Sequence, residues 1–222
     1  AAVCERAGAH GITIHLREDR RHIRDHDLEA VRSAVNLPIN LEMATTEEML
    51  AIATNFKRHA ACLVPEKREE RTTEGGLDVA GSANFLKPYI ARLRDAGIRV
   101  SLFIEPDAKA IDLSAALGAD IVELHTGTYC ETALENDAAG VQAQIRRITA
   151  AARHAHAAGL EVHHGRLLDA IRSLEWVGVG SRTDVAAALR SLLVHRQADL
   201  ARFDEAFALF FRAHRPPAPG LP

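Results

Sequence analysis

The chain has 222 residues, of which 47% are hydrophobic and 26% are charged, and it carries a formal net charge of -3. This composition is typical of a soluble globular protein with one large or two small domains, and it does not suggest nucleic acid as a partner. No apolar run reaches the roughly 18 residues that a membrane span requires, so we expect a cytoplasmic protein that does not contact a membrane. The three cysteines, Cys4, Cys62 and Cys130, have no metal-ligand spacing, and their odd number favours a reducing compartment over a disulfide framework.

Residues 1–11 lack the basic start, apolar run and cleavage site of a signal peptide. They are typical of the end of a helix that stops at Gly8. The chain is therefore expected to begin inside a structural unit, and no initiator Met is present.

Six short apolar segments follow, each about as long as a buried parallel strand. They are GITIHL, INLEMA, ACLVPE, IRVSLFI, IVELHT and LEVHH. Apolar residues recur at helical spacing between them, and Thr45 and Glu48 have the spacing of a capping box. Gly97, Gly118 and Gly159 stand where the helices should stop.

Strands that alternate with helices predict βα units and a parallel sheet. GAHGITIHL and GADIVELHT also share a Gly-Ala entry, a strand and a terminal histidine, which indicates internal repetition. No Gly-rich fingerprint follows the first strand, which favours a (β/α)8 TIM barrel over a doubly wound sheet. Six strands cannot close a barrel, so we predict an incomplete α/β barrel over residues 1–163.

The strand pattern ends after about Gly165. Residues 164–214 read as an all-helical segment of three helices, and Ser181 with Asp184 should cap the second of them. Phe203, Phe207 and Phe210 have the spacing of one helix face. Residues 215–222, RPPAPGLP, read as a disordered tail.

Polar residues stand out at the carboxyl ends of the predicted strands, where barrel enzymes carry their function. They are His15, Arg17 and His22 after the first strand, Glu42 in the second, Glu66 and Lys67 after the third, and Glu123 and His125 in the fifth. A carboxylate inside a core strand needs a partner or a role, and in the mouth of a barrel it could act as a general acid or base. Arginine, histidine, threonine and a Gly-Gly pair are typical of a phosphate site. The set suggests an enzyme that acts on a phosphorylated small molecule.

Each of these residues also has an ordinary structural explanation. A lone histidine at a strand end is more often a hydrogen-bonded structural residue, and REDRR alone is more often a solvated turn. Glu42 could be half of a salt bridge inside the barrel. Only their occurrence at the same end of successive strands favours a site.

Five segments resemble the pyridoxine 5'-phosphate synthase family. They are GITIHLREDRRHI, NLEMATTEEML, CLVPEKREERTTEGGLDV, VSLFIEP and IVELHTGTYC, and the similarity runs from Ala1 to about Val162. The resemblance implies a (β/α)8 barrel that condenses 1-deoxy-D-xylulose 5-phosphate with 3-amino-2-oxopropyl phosphate in vitamin B6 biosynthesis. It also implies a homo-oligomer that needs no metal and no organic cofactor.

The resemblance assigns roles residue by residue. It implies that His15 is a proton acceptor, that Glu42 is a second general base and that Glu123 stabilises the transition state. Arg17, His22 and Thr72 are implied ligands of deoxyxylulose phosphate. We expect His15, Glu42 and Glu123 to point to one mouth of the barrel.

The sequence departs from the family at both ends. The family's opening N-x-D-H strand and the Gly-His pair of its eighth strand have no counterpart here. His164, in EVHHGRLL, corresponds to the family's proton-donating histidine only if two residues are missing before it. From there to about residue 214 the chain resembles the helical N-terminal stretch of CoxE-like von Willebrand factor A proteins. The sequence therefore suggests a truncated, chimeric enzyme whose activity is impaired or absent.

Two alternatives come from other functional classes. A decayed barrel with a helical extension could be a non-catalytic binding or scaffolding protein. His154, His156, His163 and His164 could bind a metal, but positions i and i+2 of a helix face apart, so we predict no metal site.

Overall fold

The computed structural model describes residues 1–56, 59–66, 75–135, 137–162, 173, 177, 181–194 and 200–210. The chain divides into two compact units, Ala1–His163 and His164–Pro222. Within the described residues, no helix combines the length and the apolar character needed to cross a membrane.

The first unit contains one sheet of six parallel strands. They are β1 (Ile12–His15), β2 (Ile39–Met43), β3 (Ala60–Leu63), β4 (Arg99–Ile104), β5 (Ile121–Leu124) and β6 (Glu161–Val162). Their order in the sheet is the same as their order in the chain. In a doubly wound sheet the strand order reverses at a switch point, whereas in a TIM barrel each strand lies beside the one that precedes it in the chain. The predicted TIM-barrel type of α/β fold is confirmed.

Helices connect and flank these strands. They are α1 (Ala2–Arg6), α2 (Asp25–Ala34), α3 (Glu47–Phe56), α4 (Ala83–Asp95), α5 (Ala108–Leu117), α6 (Gly127–Leu134) and α7 (Ala138–Ala157). The predicted stops are confirmed at Gly97, Gly118 and Gly159, whose φ angles of 79°, 89° and 81° lie in the left-handed region that glycine tolerates.

The two faces of the sheet differ in character because successive side chains of a strand point to opposite sides. On the outer face, Ile14, Leu41, Leu63, Leu102 and Val122 are buried in the hydrophobic core. The opposite positions include six polar or small side chains, which are His15, Asn40, Glu42, Cys62, Ser101 and Glu123. The sheet therefore packs its apolar face against the helices and gathers polar groups on its inner face.

The sheet is curled. The side chain of Asn40 on β2 donates a hydrogen bond to Glu123 on β5, with 3.3 Å between Nδ2 and Oε1, although two strands separate them. Such a contact requires the inner face to be concave, as in the wall of a barrel. Within the described residues, β1 pairs only with β2 and β6 pairs only with β5.

The second unit has two described helices, α8 (Arg182–Leu193) and α9 (Leu200–Phe210). The Ser181 hydroxyl accepts the Asp184 backbone N–H at 3.3 Å, which confirms the predicted cap. The rings of Phe203 and Phe207 stack with their centroids 5.8 Å apart. Arg190 lies over the Phe203 ring and also pairs with Asp204, so a cation–π contact and an ion pair join α8 to α9.

Several predictions for the second unit fall on residues outside the described ranges. Of the first predicted helix only Ser173 and Val177 are described, and both are helical. The Phe210 side chain and the predicted tail at 215–222 lie outside the described parts.

Candidate active site

The loop that follows β1 folds around its own arginines. Arg20 adopts a positive φ of 53° and donates from Nη1 to the carbonyl oxygens of Arg17 and Glu18, at 3.3 and 2.9 Å. Its Nε donates to Asp25 at 2.9 Å. These contacts use a guanidinium as an internal clamp, so part of the charge in REDRR organises the turn.

The other two arginines of REDRR differ in burial. Arg21 pairs with Asp19, and this hydrogen bond lowers the pKa of the Asp19 carboxyl. Arg17 is only 8% exposed, and its Nε lies 3.9 Å from Asp19. A buried cation beside the carboxyl end of β1 is suited to bind an anion.

His15 lies between two carboxylates. Its Nε2 is 2.6 Å from Glu66 Oε1, and its Nδ1 is 3.5 Å from Glu42 Oε2. His15 and Glu42 are register partners on β1 and β2, and Glu66 lies three residues beyond the end of β3. Three neighbouring strands therefore bring an imidazole and two carboxylates together.

Glu66 is held at both oxygens. Its Oε2 accepts the backbone N–H of Glu18 at 2.9 Å while Oε1 faces His15. The side chain is 4% exposed. Glu66 is thus a buried, hydrogen-bonded carboxylate that joins the loop after β1 to the end of β3.

Glu123 lies on the inner face. Its Oε1 accepts hydrogen bonds from Asn40 Nδ2 at 3.3 Å and from Ser101 Oγ at 3.4 Å. The buried thiol of Cys62 lies nearby, and burial and the negative charge of Glu123 raise its pKa well above the usual range. Asn40 is two residues before Glu42 on the same face of β2, so both glutamates are on the concave side of the sheet.

A second histidine–carboxylate pair lies at the ends of β4 and β5. His125 Nδ1 is 2.7 Å from Glu105 Oε1, and Glu105 Oε2 is 3.4 Å from Arg147. The Gly76 N–H also donates to Glu105, at 3.2 Å. A Cβ on Gly76 would lie 2.2 Å from the Glu105 backbone nitrogen, so this close approach requires glycine.

The residues singled out in the sequence are distributed as follows. His15 and Glu42 come into contact, and Glu123 lies on the same concave face. Arg17 is buried in the loop two residues after His15. His22 is exposed in the loop after β1. Thr72 and His164 lie outside the described residues. His154 pairs with Asp112 at 2.7 Å, and no cluster of metal-ligating side chains occurs among the described residues.

Sequence reasoning noticed Glu66 but assigned it no role. Its position just past a strand end was the available signal, yet its contact with His15 depends on how the β1 loop folds. Asn40 and Ser101 gave a weaker signal, since each is a single polar residue within an apolar strand.

Comparison with known proteins identifies the family. Residues 1–177 match the model of the pyridoxal phosphate biosynthesis protein PdxJ. The chain belongs to the PdxJ family. Residues 148–214 also match the CoxE N-terminal helical bundle domain, which overlaps the end of the PdxJ match.

The PdxJ match is supported by curated relatives that are named pyridoxine 5'-phosphate synthase. The Rhodospirillum rubrum protein is 58% identical over 173 residues, which cover 77% of this chain and 68% of the relative. The Xanthobacter autotrophicus protein is 58% identical over 169 residues, covering 76% and 66%. The chain therefore spans about two thirds of the length of these relatives.

Solved structures support the fold. A mandelate oxidase bound to 3,3-difluoro-2-hydroxy-3-phenylpropionic acid aligns with a TM-score of 0.52 at 18% identity, covering 77% of this chain and 56% of the oxidase. A mutant mandelate oxidase with (S)-mandelic acid aligns with a TM-score of 0.51 at 17% identity, with the same coverage of both chains. At this level of identity the likeness concerns architecture alone.

Proposed function

We propose that the first unit, Ala1–His163, carries the chemistry of pyridoxine 5'-phosphate synthase. This reaction is the condensation of 1-deoxy-D-xylulose 5-phosphate with 3-amino-2-oxopropyl phosphate. The observation that carries this proposal is the contact of His15 with Glu42 and Glu66, two residues before the buried Arg17. The end of β1 thus carries groups that can move protons, and the loop after it carries a cation that can hold a phosphate.

The proton chemistry rests on His15 and Glu42. A condensation that closes a ring and loses water needs repeated proton transfers, and a neutral imidazole beside a carboxylate can accept a proton and release it again. With 3.5 Å between Nδ1 and Oε2, a small movement brings the two groups into hydrogen-bond contact. His15 is the first base in this proposal, and Glu42 is the second.

Arg17 binds the phosphate of deoxyxylulose phosphate in this proposal. Its burial strengthens a charge-assisted hydrogen bond to a phosphate, because water competes poorly for the buried guanidinium. His22 contributes from the same loop, and the clamp made by Arg20 fixes the path of that loop. Thr72 completes the proposed set of ligands by family resemblance.

Glu123 stabilises the transition state in this proposal. The hydrogen bonds from Asn40 and Ser101 hold its carboxylate in one orientation on the concave face. Oriented charge of this kind lowers a barrier because it needs no rearrangement during the reaction.

For the 222-residue chain on its own, we propose binding of deoxyxylulose phosphate without turnover. The family's ligands for the amino ketone phosphate belong mainly to its first, seventh and eighth strands, for which this sequence has no matching motifs. Loss of that positioning removes many orders of magnitude in rate, and loss of a proton donor removes about another 10²–10⁴-fold.

Calorimetry with 1-deoxy-D-xylulose 5-phosphate tests the binding half. We expect weak binding by the chain and none by Arg17→Ala. Arg32→Ala is the matched control, because Arg32 is an exposed helical arginine paired with Glu29, and it should bind like the unaltered chain. An Arg17→Ala variant that binds normally would refute the phosphate role. Failure of the unaltered chain to bind would favour a non-catalytic scaffold.

A product assay tests the catalytic half. We expect no pyridoxine 5'-phosphate from the chain and both substrates. Measurable product would contradict the proposed loss of turnover and would require a donor among residues that we have not assigned.

A further inference from the structure

We propose that Glu66 is a positioning residue that fixes the tautomer of His15, so that Nδ1 is the nitrogen that accepts the proton. The catalytic part of this inference rests on the function proposed above for His15. The structural part stands on the contacts of Glu66 alone.

Both carboxylate oxygens of Glu66 have a partner in the protein. Oε2 accepts the Glu18 backbone N–H at 2.9 Å, and a backbone amide can only donate. Oε1 lies 2.6 Å from His15 Nε2. The side chain is 4% exposed, so water has little access to either oxygen.

The contact with Glu66 determines which nitrogen of His15 carries the proton. An ionised carboxylate only accepts hydrogen bonds, and a neutral imidazole carries a proton on one nitrogen. A contact of 2.6 Å between Nε2 and Oε1 therefore requires the proton on Nε2.

The other ring nitrogen of His15, Nδ1, faces Glu42. With Nε2 protonated, Nδ1 carries the lone pair and lies 3.5 Å from Glu42 Oε2. When a substrate proton moves to Nδ1, the bonding electron pair stays on the substrate and the imidazole becomes a cation. This cation then lies between Glu42 and Glu66, and its Nδ1–H can pass the proton to Glu42.

This arrangement makes Glu66 and Glu42 different in kind. Glu66 is buried and anchored, so it orients the ring and keeps its own hydrogen bonds throughout. Glu42, with its side chain 27% exposed, is the carboxylate on the reacting side. A catalytic histidine commonly has this form, with one nitrogen oriented by a carboxylate and the other doing the chemistry.

Glu66→Gln is the sharpest test, because it keeps the shape of the side chain. The Glu18 N–H still needs an acceptor, so the amide oxygen should take the position of Oε2. The NH₂ group then faces His15 and donates to Nε2. The tautomer should invert from the Nε2–H form to the Nδ1–H form.

The measurement is long-range ¹H–¹⁵N correlation on the full chain labelled with ¹⁵N-histidine, with His15 assigned through His15→Asn. We expect predominantly the Nε2–H tautomer in the unaltered chain and predominantly the Nδ1–H tautomer in Glu66→Gln. Glu105→Gln is the matched control, since Glu105 holds another histidine at 2.7 Å, and it should alter His125 and leave His15 unchanged.

Two results would overturn the inference. One is an Nδ1–H tautomer at His15 in the unaltered chain, a result that does not depend on whether any variant folds. The other is a folded Glu66→Gln chain that retains the Nε2–H tautomer. The spectrum is recorded without substrate, so it does not depend on the proposed function. If Glu66→Gln inverts the tautomer but the unaltered chain does not bind deoxyxylulose phosphate, the proposed function is refuted and the role of Glu66 in positioning His15 is not.

Discussion

In the first unit, Ala1–His163, both His15 and His125 pair with a carboxylate that follows the end of a strand, and the two pairs differ in what holds that carboxylate. Glu66, the partner of His15, is 4% exposed and is anchored by a backbone N–H. Glu105, the partner of His125, is 38% exposed and is shared with Arg147. The first pair is a buried, fixed contact, whereas the second is a surface network that water can partly replace.

The free side of each ring also differs. His15 presents Nδ1 to Glu42. His125 directs Nδ1 at Glu105, and its ring packs edge-on against Phe103. Its Nε2 lies so close to Gly127 that a Cβ there would be 2.8 Å away. His125 is therefore enclosed by the protein, and His15 has a nitrogen available for chemistry. The pairing distance alone, 2.6 against 2.7 Å, does not separate these roles.

The largest expected effect comes from truncating the buried carboxylate. Glu66→Ala leaves the Glu18 N–H and His15 Nε2–H without their acceptor, and we expect a loss of about 2–3 kcal/mol in the free energy of unfolding. Glu105→Ala should cost less than about 1 kcal/mol, because water can replace an exposed carboxylate. Urea denaturation followed by far-ultraviolet circular dichroism measures both.

Glu66→Gln serves as the control for that series. It keeps an acceptor for Glu18 and a polar partner for His15, so its cost should stay below about 1 kcal/mol. Equal losses for Glu66→Ala and Glu105→Ala would show that burial does not separate the two pairs.

A smaller effect is expected at the enclosed histidine. In Gly127→Ala the new Cβ would lie 2.4 Å from His125 Cε1, so the ring must shift, which disturbs the contact of its Nδ1 with Glu105. We expect a loss of about 1 kcal/mol in unfolding free energy, with the His15 spectrum unchanged. In a Glu105→Ala background the same substitution should cost less, and full additivity would contradict the link between Gly127 and the Glu105 contact.

The smallest effect concerns the pH dependence contributed by the loop beside His15. The hydrogen bond from Arg21 lowers the pKa of Asp19 in the folded chain. The stabilisation is therefore complete above the ordinary carboxyl pKa of about 3.9 and is lost as the pH falls through the lower folded value. Arg21→Ala should flatten this part of the stability profile, measured as melting temperature between neutral and acidic pH. An unchanged acid limb would exclude the contribution of this pair.

The sequence predicted the architecture well because strand length and stop glycines are local properties. Five of the six predicted segments contain an observed strand, and the third, ACLVPE, misses only the first residue of β3, Ala60. Gly97, Gly118 and Gly159 have the expected backbone conformation. The cap of α3 is one residue away from the prediction. Thr46, and not Thr45, accepts the N–H of Met49, at 3.3 Å. Two adjacent threonines offer the same side chain, so only the backbone path decides between them.

The candidate site was less accessible to sequence reasoning because its contacts join distant parts of the chain. His15 and Glu42 could be paired in advance, since both lie at strand ends in adjacent strands. The contact of His15 with Glu66 depends on a loop conformation that includes the positive φ of Arg20. The contact of Asn40 with Glu123 depends on the curvature of the sheet, which no local pattern encodes. The catalytic and binding roles that the family resemblance assigns, including those of Thr72 and His164, stay predictions.

The order of the strands has a consequence for how the molecule folds. Each strand pairs with the strand that precedes it in the chain, so every new βα unit closes a short loop onto structure that already exists. During synthesis the sheet can therefore grow from β1 onward. The Asn40–Glu123 hydrogen bond spans 83 residues, so it forms only when β5 has joined. The Asn40–Glu123 hydrogen bond can therefore form only after β1 and β2, which carry His15 and Glu42, have paired.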